Sequence, residues 1–472
     1  MHRAKLFRRA LTFGLGCGLF AIGLATSAQA QCQLNSPSGK IKHVVYVEFD
    51  NVHFTRDNPN VPSDLEQMPN LLNFITKKGT LDAGDHAVLI SHTANDILTT
   101  QTGLYSDNDG IFVANSFGDF ASDAAQFPSS FFYWTDLVKD ITPATADNNF
   151  ALTTPAGTNV PAPWVPFTTR GCDVGAFSTA NIVLERTPFD VVKVFGAGSP
   201  ESLETNSQQS NDFSGVAIHC TIGSTLCTTA NHAVADLLPS EAGYTGYKAL
   251  FGLKYIIPAL GFNPLTGIPV YNHADGTPGT ALMGFNQLGF DPTPAQTLAV
   301  VETMLKKGIP VVYAYIADAH DKQPGTNLAT PEATFGPGEA PYVQQLADYN
   351  AAFGTFFANL KADGIDETNT LFIFTPDEGD HFAGVAPSPA NCDGAKIVNG
   401  KVIPDVPCTY PMANSQGGVG EIDLGLNAVV TAAGNATPFS IHFDDAATTY
   451  VTGQPLPSSS TVRQLERTMA GE

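Results

Sequence analysis

The sequence predicts an α/β fold in which a central, mostly parallel sheet carries helices on both faces, with long loop-rich insertions. Three apolar runs, His43 to Phe49, Val311 to Ile316 and Leu371 to Phe374, have the near-continuous hydrophobicity of strands buried on both faces. The last two are separated by a pattern with helical spacing from about Pro341 to Ala362, the arrangement of a strand, a right-handed crossover helix and a parallel strand. Each run also leads into an acidic residue, Asp50, Asp318 or Asp377. In an open α/β sheet ligands bind outside the carboxyl ends of the strands, so three carboxylates delivered there converge. Converging carboxylates repel one another unless a cation lies between them.

The chain begins with Arg3, Lys5, Arg8 and Arg9, then an apolar run from Leu11 to Ala25, then Ala28-Gln29-Ala30. This order of basic, apolar and small residues is that of a secretory signal peptide spanning 1–30. The apolar run is short for a membrane span, so the expectation is a periplasmic or secreted protein without one. Cys17 lies in the signal, leaving Cys32, Cys172, Cys220, Cys227, Cys392 and Cys408, an even number suited to disulfides in an oxidising compartment. Cys220 with Cys227 and Cys392 with Cys408 are close enough to bracket loops, which would leave Cys32 with Cys172, one of the fifteen pairings that six cysteines allow. No C-x-x-C spacing favours zinc on these cysteines.

Removing the signal leaves 19 basic against 45 acidic residues, a net charge of −26 against −22 for the whole chain. Nucleic acids and anionic membranes are bound through Lys and Arg, so this balance argues against both. No linker or repeat divides the remainder, and 43 Gly and 33 Pro point to extended loops. Residues 31–472 therefore read as a single α/β domain with an insertion at about 110–300.

After the first strand, Met68 to Lys78 has helical spacing and stops at Gly79. It leads toward a short strand at His86 to Ile90. Ser91 to Tyr105 reads as a strand end, a turn and a short helix closed by Gly103, with Thr93 near the helix amino terminus. The 110–300 stretch is irregular, with strand-like pieces at Asn181 to Leu184 and Ser214 to His219 and a helix-like piece at Pro294 to Lys307. Insertions over a sheet commonly carry specificity. In the helix from about Pro341, the residues Val343, Leu346, Tyr349, Phe353, Phe356, Phe357 and Leu360 share one face.

Four elements carry the chemistry: Asp50 after the first strand, Thr93 ten residues ahead of the Gly of Thr102-Gly103-Leu104-Tyr105, Tyr315-Ile316-Ala317-Asp318, and Phe374-Thr375-Pro376-Asp377-Glu378-Gly379. In this order they resemble the alkaline phosphatase superfamily, nearest its nucleotide pyrophosphatase/phosphodiesterase and phosphoesterase branches, over roughly 40–110 and 305–385. The resemblance implies an exported hydrolase of phosphate ester bonds with Thr93 as nucleophile and a small-molecule phosphate ester as substrate. It implies two divalent cations, zinc foremost, with manganese, magnesium or calcium as alternatives. Asp50, Thr93, Asp377 and the following residue would hold one; Asp318, a nearby His and a late His would hold the other.

This chain departs from the superfamily in having Asp377-Glu378 with His381 in place of an Asp-His pair, and Asp318-Ala319-His320-Asp321 in place of Asp-x-x-x-His. Glu378, His381 and His320 are the ligands expected from those segments. For the late ligand His442, in Ser440-Ile441-His442-Phe443-Asp444, stands against His219 and His273. Asn95 is placed to cap the helix or to donate to a phosphate oxygen. Asp107-Asn108-Asp109-Gly110 reads as a turn, because the glutamate of a calcium loop is missing. The chain has no G-x-x-x-x-G-K-[ST], H-E-x-x-H or G-x-S-x-G segment, and no C-x-P-x-R segment of the sulfatases. A non-catalytic metal-binding protein on the same fold, and a phospholipase C or acid phosphatase type of phosphoesterase, are the alternative readings.

Overall fold

The structure, a computed structural model, describes residues 32–50, 52, 54, 56, 58–82, 93–104, 152–153, 159–178, 189–236, 247–263, 266–279, 292–317, 319, 335–377, 387–398, 401–410, 439–441 and 449–451. Its centre is a seven-stranded sheet. The strands are β1 (His43–Phe49), β2 (Val174–Phe177), β3 (Val216–Cys220), β4 (Val234–Ala235), β5 (Lys248–Phe251), β6 (Val311–Ile316) and β7 (Thr370–Pro376). They lie in the order β4-β5-β3-β2-β6-β1-β7.

Strands β2, β6, β1 and β7 are parallel, whereas β3, β5 and β4 join through antiparallel pairings. The sheet is therefore mixed, with a parallel half. That half contains the three apolar runs; β1 and β6 are buried because both faces are covered, whereas β7, at the edge of the sheet, is only partly buried and leaves Leu371 47 % exposed. On one face Val45, Val47 and Phe49 of β1 pack with helix α1 (Pro69–Lys78), helix α3 (Pro294–Lys306) and helix α4 (Ala340–Ala362). On the other, Val44 and Tyr46 pack with helix α2 (Thr93–Thr102) and with Trp164, Val191 and Phe213.

The helices start and stop where local chemistry requires. Helix α3 opens with a capping box, in which the Thr293 hydroxyl accepts from the Gln296 N–H and the Gln296 side chain accepts from the Thr293 N–H. Pro69 begins α1 without the loss of a needed donor. Helix α2 ends at Gly103, whose φ of +73° supplies the left-handed conformation of a helix stop. Helix α4 lays Leu346, Tyr349, Phe353, Phe356 and Leu360 into the core. It connects β6 to β7, which run parallel with β1 between them.

The reading of the 110–300 region changes in the folded chain. The region supplies β2 to β5, four of the seven strands of the sheet, rather than only loops lying over it. Its strands are four or five residues or shorter and contain Gly175, Ala176, Ala217 and Ala249, so no long apolar run announces them. Gly175 is needed where it stands: a Cβ there would come within 2.4 Å of Met304 Sδ. The strand-like piece at 214–219 is β3, one residue shifted at its end. The signal segment 1–30 and the strands expected at His86 to Ile90 and Asn181 to Leu184 lie outside the described residues, as does the Asp107 turn.

All three expected disulfides form, Cys32–Cys172, Cys220–Cys227 and Cys392–Cys408. They are compatible with an exported protein. No helix among the described residues is long and apolar enough to cross a membrane.

Phe353 is fully buried and packs its ring against Phe49 and Phe374, at centroid distances of 5.7 and 5.8 Å. Phe353→Ala is expected to cost about 3–5 kcal/mol, read from the midpoint of urea unfolding. The Cys32–Cys172 bridge closes a separation of 140 residues and Cys220–Cys227 one of 7. Replacing the first pair by serine should cost more stability than replacing the second, by about 2.7 kcal/mol in the chain-entropy picture, in the same assay.

Candidate functional site

The parallel pairing of β6, β1 and β7 fixes what meets at the carboxyl edge. In register, Phe49 stands beside Ile316 on one side and Pro376 on the other. The next residue of β1 is Asp50, whose N–H donates to the Ile316 carbonyl at 3.0 Å; the next of β7 is Asp377, whose N–H donates to the Phe49 carbonyl at 2.8 Å. Asp50 and Asp377 are thus neighbours across one strand spacing, about 5 Å. Both are buried, Asp377 completely and Asp50 to 9 % exposure.

Alternation along a strand assigns their face. Asp50 is in phase with Tyr46 and Glu48, and Asp377 with Ile373, on the side that packs against α2. Helix α2 is tied to that side directly: the Thr100 hydroxyl donates to Glu48 Oε1 at 2.8 Å. Thr93 is the first residue of α2, as the sequence indicates, and Asn95 lies in its first turn. The third run, β6, ends at Ile316 and continues through Ala317 and Ala319, both buried on either side of position 318. The Tyr349 hydroxyl of α4 donates to the Ala317 carbonyl at 2.6 Å and secures this strand end.

Of the sequence-predicted site residues, Asp50 and Asp377 are brought together and Thr93 heads a helix on their face. Asp318, His320, Glu378, His381 and His442 lie outside the described residues. Two competing histidines are accounted for otherwise. His219 pairs in register with Val174, which is level with Val311 and Val44, the start of β1. It therefore sits at the opposite edge, six residues and roughly 20 Å down the strands from Asp50. There its Nδ1 lies 2.7 Å from Asp236 Oδ2 and its ring stacks on Trp164 at 3.9 Å. His273 Nδ1 lies 2.9 Å from Asp348 Oδ2 on α4, and the Ala274 N–H donates to the same carboxylate.

Further polar groups lie at this edge, none of them expected there from the sequence except Asp96, which could cap the Thr93 helix. Glu48 and Asp96 are completely buried. Tyr315 donates its hydroxyl to Asp50 Oδ2. The available signal was period-two spacing: Tyr46, Glu48 and Asp50 alternate within an otherwise apolar strand, so a charge at 48 must face a polar interior. The phenol of Tyr46 is held above its ordinary pKa, mainly by burial and then by the negative charge of Glu48 and, further off, Asp96. Burial alone does the same to Tyr313, its neighbour at 5.8 Å.

Chemically, two buried carboxylates side by side favour a bound cation or a shared proton. Their oxygen donors fit zinc, manganese, magnesium or calcium. Among the described residues no three His, Cys, Asp or Glu side chains group closely enough to hold a metal, so these two would be a partial ligand set. A cleft of about 400 Å³ runs along the outer side of β7 between Phe54, Phe74, Leu371 and Phe374, and neither carboxylate lines it.

The fold and this edge define a three-layer α/β protein with an acidic carboxyl edge. No protein-family model matches the chain, and neither curated proteins nor solved structures include a significant match.

Raised tyrosine pKa values have a sign that can be tested. Burial favours the neutral phenol, so the stability from Tyr46 and Tyr313 is complete below the unfolded value of about 10 and lost as pH rises above it. In a titration followed at 295 nm, these two residues should stay protonated past that value and ionise together with alkaline unfolding.

Proposed function

We propose that the chain is an exported metal-dependent phosphoesterase that hydrolyses a small phosphomonoester or phosphodiester through a phospho-threonine on Thr93. The observation that carries this reading is the buried pair Asp50 and Asp377 on adjacent parallel strand ends, facing the side of the sheet that packs the helix begun by Thr93. Asp50, Thr93, Asp377 and Glu378, with His381, would hold one divalent cation; Asp318, His320 and His442 would hold the second. When bound, such cations stabilise an ionised hydroxyl and the charge on a leaving oxygen.

The chain's own groups supply the rest. The Thr93 oxygen attacks phosphorus while the bond to the leaving alcohol breaks on the far side, the hydroxyl proton passing to solvent and the alcohol oxygen taking one up. Water then displaces the threonine oxygen, releasing phosphate or a phosphomonoester and restoring Thr93. The first backbone N–H groups of α2 have no partner within the helix and favour phosphoryl oxygens there, with Asn95 as a further donor. The segments Asp50-Asn51 and Asp377-Glu378 suggest a phospholipase C or acid phosphatase type within this chemistry, which a single metal per chain would favour.

The test assays p-nitrophenyl phosphate and bis-p-nitrophenyl phosphate with purified protein. Thr93→Ala is expected to lower kcat by at least about 1,000-fold with KM little changed, as loss of a nucleophile should. EDTA should abolish turnover and added divalent metal restore it. Metal-independent turnover, or turnover indifferent to Thr93→Ala, would overturn the reading.

A further inference from the structure

We infer that Tyr315 is a positioning residue for Asp50, holding that carboxylate in the orientation that receives a divalent cation; this rests on the reading of Asp50 as a ligand. Tyr315 belongs to β6, directly beside Glu48 of β1 in the parallel register, and its ring is 5 % exposed on the face packed against α2. Its hydroxyl reaches forward to donate to Asp50 Oδ2.

Asp50 is therefore fixed twice by the same strand. The Ile316 carbonyl accepts from its backbone N–H at 3.0 Å, and Tyr315 takes one carboxylate oxygen. The second contact matters because the terminal torsion of an aspartate is broad and about two-fold, so a backbone bond alone leaves the carboxylate plane undetermined. A donor on Oδ2 sets that plane and thereby places Oδ1. Groups that hold a ligand in this way typically change metal affinity 10–100-fold when removed.

The neighbouring Tyr313 provides a control. It lies on the same strand and face, is nearly as buried, and donates instead to the Pro163 carbonyl at 3.4 Å. Loss of its hydroxyl removes a buried polar contact without touching Asp50.

The experiment is calorimetric titration of metal-free protein with Zn2+ and with Mn2+, comparing wild type, Tyr315→Phe and Tyr313→Phe, with circular dichroism to establish folding. Tyr315→Phe is expected to weaken binding of the cation at Asp50 about 10–100-fold, and Tyr313→Phe to leave it within about 2-fold. Should Tyr315→Phe fail to fold, 4-methylphenylalanine at position 315 fills the space of the hydroxyl without donating, and the same weakening is expected. Equal affinity in wild type and the folded position-315 variant would overturn the positioning role while leaving the metal reading intact. Absence of binding in wild type would overturn the metal reading and this role with it. Weakening by Tyr313→Phe equal to that by Tyr315→Phe would reduce the effect to general packing and also overturn the proposal.

Discussion

The parallel pairing of β1 with β6 and β7 sets the register of the core and of everything at its acidic edge. A strand flanked on both sides by parallel neighbours has both hydrogen-bonding edges occupied, and helices cover both of its faces. Its residues have no freedom of register: a slip by one position would exchange Val45, Val47 and Phe49 with Tyr46 and Glu48 between two differently built faces. One face is aliphatic and aromatic, closed by Phe353, Phe356 and Leu360. The other contains Tyr46, Glu48, Tyr313 and Tyr315 and tolerates charge. The polar half of the interior thus follows from strand phase, and Asp50 is its continuation.

Burial of charge at this edge is costly unless it is compensated. Glu48 accepts from Thr100 and Asp50 accepts from Tyr315. Comparable arrangements occur where the core needs only a tie: Tyr342 donates to the buried Asp64, and Tyr271 and Asn359 both donate to Glu302. What separates Asp50 and Asp377 from those is adjacency, two carboxylates one strand apart at the edge where α/β sheets bind ligands. His219 with Asp236, although buried and paired, lies at the other edge, among aromatic rings.

Long apolar runs and strong helical periods were legible because burial on both faces selects them without reference to partners. Residues 43–49 and 311–316 coincide with β1 and β6, and α3 and α4 match their patterns to within a residue. The short strands β2 to β5 were mostly hidden, since four or five small or mixed residues become a strand only when a neighbouring edge accepts them. Cysteine spacing pointed to one of fifteen possible pairings without deciding it, and the folded chain adopts that one.

Local periodicity and chain order were enough to read the parallel core, its helices, the acidic residue after each long strand and the head of the Thr93 helix directly from the residues. Folding was needed to show that β1 lies between β6 and β7, that Asp50 and Asp377 therefore meet at the same edge and face, and that His219 does not. It also decided that Tyr315 and Glu48 belong to that edge. Those outcomes depend on which strands become neighbours and in what register, a choice made by packing between segments hundreds of residues apart, which no single segment encodes.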